Sequence, residues 1–320
     1  MKFAIFSVSF LAAFVAAAPA SVGKLNKRAT ASDAASVGYA TQNGGTKGGA
    51  GGSTTTVSSL AALQTAATSS GSKVIVVKGT ITGNTVIKVA SDKTIVGANS
   101  NAVLSGVGLR VNGVSNVIIR NLTIKKVLAT AGDAIGIQAS KNVWVDHCDL
   151  SSDRDHDKDY YDGLLDVTHA SDYITLSNNF LHDHWKASLV GHSDSNGSED
   201  KGHLTVTYVG NFFYNLNSRG PSFRFGTGHI YNNYYLSVSD GINTRQGAQL
   251  LVENNVFVDS DKPLYSTDAG YAYASGNDFG DGENTALTGT LKSVPYSYTK
   301  VAASAVYSAV YGTAGATLTF

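Results

Sequence analysis

One cysteine, Cys148, stands in 320 residues. No intrachain disulfide can form, so stability must come from burial and hydrogen bonding, and Cys148 itself reads as a small buried apolar residue. Charge is scarce as well. Lys+Arg and Asp+Glu number 24 each, 15% of residues are charged, and the formal net charge is zero. That balance provides neither a basic field for nucleic acid nor an acidic tail, and any charged site must be local. Beyond the first twenty residues no apolar run is long enough to span a bilayer, so no membrane partner is expected. A phosphate loop is missing too. The glycine-rich GGTKGGAGGS carries no Gly-Lys-Ser/Thr at the required spacing, which excludes that mode of nucleotide binding.

What is present begins with MKFAIFSVSFLAAFVAAAPA, a lysine, an apolar run and small residues ending Ala18-Pro19-Ala20. This pattern predicts a signal peptide over 1–20. SVGKLNKR then ends in the dibasic pair Lys27-Arg28, so a pro-peptide over 21–28 and a mature domain over 29–320 are expected, outside the cell. Two sequons occur, Asn121-Leu122-Thr123 and Asn196-Gly197-Ser198; the second lies in a polar loop and is the better glycan acceptor.

Ser58 to Thr68 places Leu60, Leu63 and Ala67 at helical spacing behind two serines, which predicts a short helix capped by Ser58 or Ser59. From Lys73 onward the chain is short β-branched runs broken by Gly, Asn and Asp: VIVVKG, KTIVG, NVIIRNLTI, NVWVDHCDL, DYITLSNNFL. Within them lies a repeat. Asn211, Asn233, Asn255 and Asn277 are each 22 residues apart, Asn179 lies 32 before Asn211, and Asn121 is read as a like position. Such a period means a solenoid, and three short strands per period make each one a coil of a parallel β-helix. Stacked coils would align the asparagines in an amide ladder and fill the bore with aliphatic and aromatic side chains. The longer step implies an excursion, the usual seat of function. The helix is expected to plug one open end, and the Ala/Val/Tyr-rich tail either caps the other or packs along the outside.

Chemistry concentrates between Asp159 and Asp194. Asp162 and Asp166 in DGLLD, four residues apart, would share a face on an extended segment and begin a hard-cation site. Asp153, Asp155, Asp157 and Asp159 lack the glycine and terminal acid of an EF-hand and read as a solvated loop. Asp146-His147 reads as a structural pair, with Val143, Val145 and His147 on one face and Trp144, Asp146 and Cys148 on the other; His147 falls on the asparagine ladder. His182 and His184 would share a strand face but have no third zinc ligand at a recognisable spacing. Lys186, Arg219 and Arg224 cluster near the excursion, which favours an anionic ligand over surface ion pairs, since Arg forks match carboxylates.

NVIIRNLTI, NVWVDHCDL, DGLLDVTHAS, LHDHWK and, most specifically, NSRGPSFRFGTGHIYNNYY together resemble the pectate lyase family over essentially the whole mature chain. The resemblance implies an all-β right-handed parallel β-helix, agreeing with the repeat. It implies Ca2+ held by Asp133, Asp162 and Asp166, a substrate carboxylate gripped by Lys186 and Arg224, and Arg219 as catalytic base. Ala131 stands where some members carry a further acid, which suggests fewer protein ligands and fewer ions. The implied substrate is polygalacturonate, cleaved by β-elimination without water, with an endo preference and a monomeric enzyme expected. A guanidinium ordinarily keeps its proton, so nearby cations and alkaline pH would have to help Arg219. Retention of the three Asp residues argues against pectin lyase, which needs no calcium. A polygalacturonase would need paired catalytic carboxylates, and that family's motif set is missing apart from the isolated fragment Gly228 to Ile230. A non-catalytic polysaccharide-binding β-helix need not keep the Asp and Arg/Lys constellation.

Overall fold

The computed structural model describes residues 29–320; the expected signal peptide and pro-peptide lie outside the described residues. Each 22-residue period folds as anticipated into one coil of parallel strands. Thr205, Thr227, Gln249 and Tyr271 stand directly beside one another, each 22 residues on. The first face of the solenoid is an 11-stranded parallel sheet running from Ser53–Val57 through Lys141–Asp146 to Leu287–Thr288. The other two faces are joined through the long strands Thr80–Val89 and Val103–Asn112, which span both. The second face then continues through Asp149–Ser151, Phe180–Lys186 and Phe212–Ser218, and the third through Ile135–Gln138, Leu165–Thr168, Leu189–Val190 and Ser222–Arg224. All-parallel sheets bury their inner face, and here one core cluster runs from Val57 to Ala272 along the bore. Phe213, Tyr235, Phe257 and Phe279 stack in it with centroids 4.6, 4.2 and 5.7 Å apart.

The amide ladder forms where the first face turns into the second. Asn179, Asn211, Asn233 and Asn255 each donate through Nδ2 to the Oδ1 of the next, at 2.9–3.0 Å, ending on Asn277. Two expectations need correcting here. Register aligns Cys148, not His147, with Asn179, and the Cys148 N–H donates to Asn179 Oδ1 at 2.9 Å. Asn121 aligns with His147 in a neighbouring column where the backbone is left-handed: φ is 55° at Asn121, 50° at His147, 52° at Asn178 and 66° at Gly210. A left-handed residue reverses the in-out alternation of a strand. Cys148 therefore joins Val143 and Val145 in the core, and His147 points away from it. The same geometry removes Asn121 as a glycan acceptor. It is fully buried, its amide donating to the carbonyls of Gly97 and Leu318 at 2.9 Å.

Asp146 is structural, as expected. It accepts from Arg120 (2.7 Å), Ser177 (2.7 Å) and Asn178 (3.0 Å) and contacts His147 at 2.8 Å. Burial would raise its pKa, but these bonds, His147 first, hold it below the usual carboxylate range. The helix Leu60–Thr68 is capped by Ser59, whose Oγ accepts from the Ala62 N–H, and it seats Leu63 and Ala67 on the open end of the bore. The tail takes the outside. Helix Ala303–Val310 lays Val306 and Val310 on Phe212, Tyr234 and Val256, and Phe320 reaches the Ala98 carbonyl. Among the described residues no helix is long and apolar enough to cross a membrane.

Candidate active site

Every expected site residue except Arg224 sits where the second face turns into the third, in successive coils. Asp133 precedes strand Ile135–Gln138, Asp162 precedes Leu165–Thr168, and Asp166 lies within the latter. Lys186 ends strand Phe180–Lys186 and pairs in register with Ser218, beside Arg219. Register also places Asp166 beside Gly136.

Two glycines let the carboxylates approach. A Cβ at Gly136 would lie 2.8 Å from Asp133 Oδ2, and one at Gly163 would lie 2.5 Å from Asp166 Oδ1. The Gly163 N–H donates to Asp133 Oδ1 (3.1 Å) and the Leu189 N–H to Asp166 Oδ1 (3.0 Å). Asp162 is not a strand neighbour of Asp166, as simple alternation would have it; it stands in the preceding turn with its side chain 44% exposed. Burial, and then repulsion from Asp162, pushes Asp133 up to about 7, against the Gly163 N–H, Arg110 and Arg219. Burial and then Asp133 raise Asp166 well above the carboxylate range. Crowded, desolvated carboxylates of this kind fit a hard divalent cation that takes oxygen ligands. Among the described residues no three His, Cys, Asp or Glu side chains are already closed into a metal cage.

The Lys186 ammonium lies 3.0 Å from Asp159 and 3.6 Å from Asp162. Asp159 stays exposed, as expected, while pairing with Lys186 at the rim of the site. Asp153 is also engaged, bonding His156 (2.7 Å) and Tyr161 (2.9 Å), whereas Asp155 and Asp157 are exposed as expected. Arg219 adopts φ 65° before a cis Gly220-Pro221 bond, and among the described residues its guanidinium has no ion pair. Carboxylates acting on it are Asp133, Asp166 and Asp159, and among the described residues Lys186 is a cation beside it. Arg224 stands further along the third face, pairing with Asp194 at 2.5 Å. Asp194 belongs to the excursion between Leu189–Val190 and Thr205–Val209, the one implied by the 32-residue step. The carboxylate-bearing excursion is a different one, between Asp149–Ser151 and Leu165–Thr168.

The zinc pairing of His182 with His184 does not form. Asp183 is left-handed (φ 50°), which turns His182 outward to Asp149 and Asp183 and buries His184. His184 Nε2–H donates to the Asp162 carbonyl at 2.6 Å, and its Nδ1 contacts the Ser152 hydroxyl. This buried support of Asp162 was invisible in the sequence, because it depends on the reversal at Asp183.

A sequence model of the family described as pectate lyase matches residues 11–318. Pectate lyase A of Aspergillus niger is 63% identical over 320 residues, covering 100% of this chain and 99% of that protein. Pectate lyase A of Emericella nidulans is 62% identical over 325 residues, covering 100% and 99%. Among solved structures, a Bacillus sp. N165 pectate lyase in complex with trigalacturonate superposes with a TM-score of 0.80 at 34% identity, covering 88% of this chain and 98% of that one. Pectate lyase II of Xanthomonas campestris gives 0.73 at 28%, covering 88% and 98%. The fold, the acidic turn and these likenesses define a parallel β-helix enzyme of the polysaccharide lyase class. Within that class, the chain belongs to the pectate lyase family.

Proposed function

We propose that this protein is a secreted, calcium-dependent, endo-acting pectate lyase that works as a monomer and releases oligosaccharides with 4,5-unsaturated galacturonosyl ends. One observation carries the reading: Asp133, Asp162 and Asp166 crowd together beside Lys186 and an unpaired Arg219. Asp133, Asp162 and Asp166 would hold the calcium. Calcium takes about six to eight oxygens, more than these three residues offer, so substrate oxygens and water would have to supply the rest. When bound, it supplies Lewis-acid withdrawal from the C6 carboxylate, which acidifies the C5 proton.

The chain's own groups do the rest. Lys186 exchanges its Asp partners for the substrate carboxylate, and Arg224, reaching in from further along the third face, exchanges Asp194 for the same anion, so both oppose charge developing at C5. Arg219 takes the C5 proton. The C5–H electron pair becomes the C4=C5 bond as the C4–O bond breaks, and the departing oxygen is protonated from solvent. Because a guanidinium gives up its proton only at alkaline pH, the rate rises with pH. Secretion is supported by the leader over 1–20 and the dibasic pair Lys27-Arg28. A solenoid flank that runs across many coils favours internal cleavage.

Ultraviolet absorbance of purified enzyme on polygalacturonate, with calcium and then with excess chelator, tests the reading. Absorbance rising only with calcium supports it, and Asp166→Asn should then lower activity at least about a hundredfold. New reducing ends without absorbance would mean hydrolysis and overturn it. Chelator-insensitive activity that prefers methyl-esterified pectin would move the protein to pectin lyase chemistry.

A further inference from the structure

Six of the seven arginines lie among the described residues. Four of them are engaged: Arg120 with Asp33 and Asp146, Arg154 with Asn215, Arg224 with Asp194, and Arg245 with Asp194 and Asp268. Only Arg110 and Arg219 have a guanidinium with neither a hydrogen bond nor an ion pair among the described residues. Arg219 is already placed in the cleft. Arg110 has had no role.

Its position follows from the register of the third face. Arg110 pairs with Gly136, and Gly136 pairs with Asp166. With coils about 4.8 Å apart, Arg110 stands about 10 Å from Asp166 on the N-terminal side. The Asp133 carboxylate lies over Gly136, between them. One coil further, exposed Lys88 pairs with Arg110. Arg110 is outward-facing on its strand, between buried Leu109 and Val111. Its guanidinium rests on Gly132, whose added Cβ would meet Nη2 at 2.8 Å, and it borders an open polar cleft of about 350 Å³ with Asn84, Thr85, Thr130 and Ala131. Cations thus flank the acid cluster at both ends: Lys186, Arg219 and Arg224 toward the C-terminal coils, Arg110 and Lys88 toward the N-terminal ones.

An unpaired, half-buried guanidinium is a poor structural choice but a good anion receptor, because its fork matches a carboxylate without first breaking an internal bond. We propose that Arg110 is a second carboxylate-reading position of the cleft, binding the carboxylate of a galacturonosyl unit distant from the bond that breaks. The assignment rests on the lyase reading above and deepens it. Arg110 makes the enzyme prefer chains unesterified at that unit as well as at the scissile one, since a methyl ester offers no anion to the fork. Asp133 is near, but the absence of an ion pair between them leaves the guanidinium available.

The test is steady-state kinetics of Arg110→Gln and Arg110→Lys on unesterified polygalacturonate, with calcium titrated in parallel and the unfolding midpoint recorded. Arg110→Gln should raise KM about tenfold with kcat within about twofold, because a charge-assisted fork is lost from binding and not from the reacting centre. Arg110→Lys, keeping charge without the fork, should fall between, and it carries the test if the Gln variant is unstable. The calcium concentration for half-maximal rate should not increase. An unchanged KM overturns the proposal; so does a rise in the calcium requirement that accounts for the loss, which would make Arg110 a prop for Asp133. If the wild-type protein yields no unsaturated product, the lyase reading fails. Retardation of wild type against Arg110→Gln in polygalacturonate-containing gels then decides the Arg110 site separately: equal retardation overturns it.

Discussion

Replacing Asn233 by leucine, which keeps the γ-branched shape and the number of heavy atoms, should remove a central rung of the amide ladder without opening a cavity. The Asn233 Oδ1 accepts from both the N–H and the Nδ2 of Asn211, each at 2.9 Å. Its Nδ2 donates to Asn255 Oδ1 (2.9 Å) and lies 3.1 Å from the Tyr208 and Tyr231 carbonyls. Two N–H groups can serve two acceptors at a time, so about four bonds are lost. The Asn211 N–H, fully buried, is left with no acceptor. A stranded buried donor costs about 1–3 kcal/mol and the other bonds about 1 kcal/mol or less each, giving roughly 3–5 kcal/mol in all. Against a total stability of about 5–15 kcal/mol, that is a large fraction. Asn277→Leu, at the half-buried end of the same ladder, also takes the acceptor from the Asn255 N–H and Nδ2, but water can replace lost bonds there, so it should cost less. Urea unfolding followed by circular dichroism measures both. Equal losses, or less than about 1 kcal/mol for Asn233→Leu, would refute the ladder as a cooperative support. Activity per folded molecule should be unchanged, since the ladder lies at the opposite end of the second face from the cleft.

The metal-free protein should lose stability as pH rises. Asp133, raised to about 7, and Asp166, raised well above the carboxylate range by burial and then by Asp133, bind protons more tightly in the native state than in the unfolded chain. Their contribution is full below about pH 4 and lost as pH climbs through about 7, so the melting temperature should fall between pH 5 and 8 in chelator. Asp133→Asn should flatten that slope; a melting temperature that rises instead would contradict the assigned direction. Gly163→Ala should displace the Asp166 carboxylate and cut calcium-dependent activity about tenfold or more while the far-ultraviolet spectrum stays native. Wild-type activity in that variant would mean that Asp166 does not act from its place against Gly163.

Much of this protein was legible in its sequence because a solenoid writes its period into the chain. Asparagines 22 residues apart, alternating apolar strands and the Ser-capped helix each depend on neighbours at fixed spacing. The residue types of the candidate site were legible too, since carboxylates and cations clustered near an excursion carry their chemistry with them. Sequence periodicity failed where single left-handed residues intervene. His147 and Asp183 each reverse the strand's alternation: the first moved Cys148 onto the ladder, and the second sent His184 inward to support Asp162. Asn121, left-handed in the same column as His147, was buried. No local pattern announces such a residue when it is not glycine. Tertiary structure alone decided which distant coils become neighbours: it laid Asp133 over Gly136 between Arg110 and Asp166, gave Lys186 to Asp159, and left two guanidinium groups unpaired among the described residues. Those facts rest on registers between strands tens of residues apart, and register is set by packing across the bore and by turn geometry.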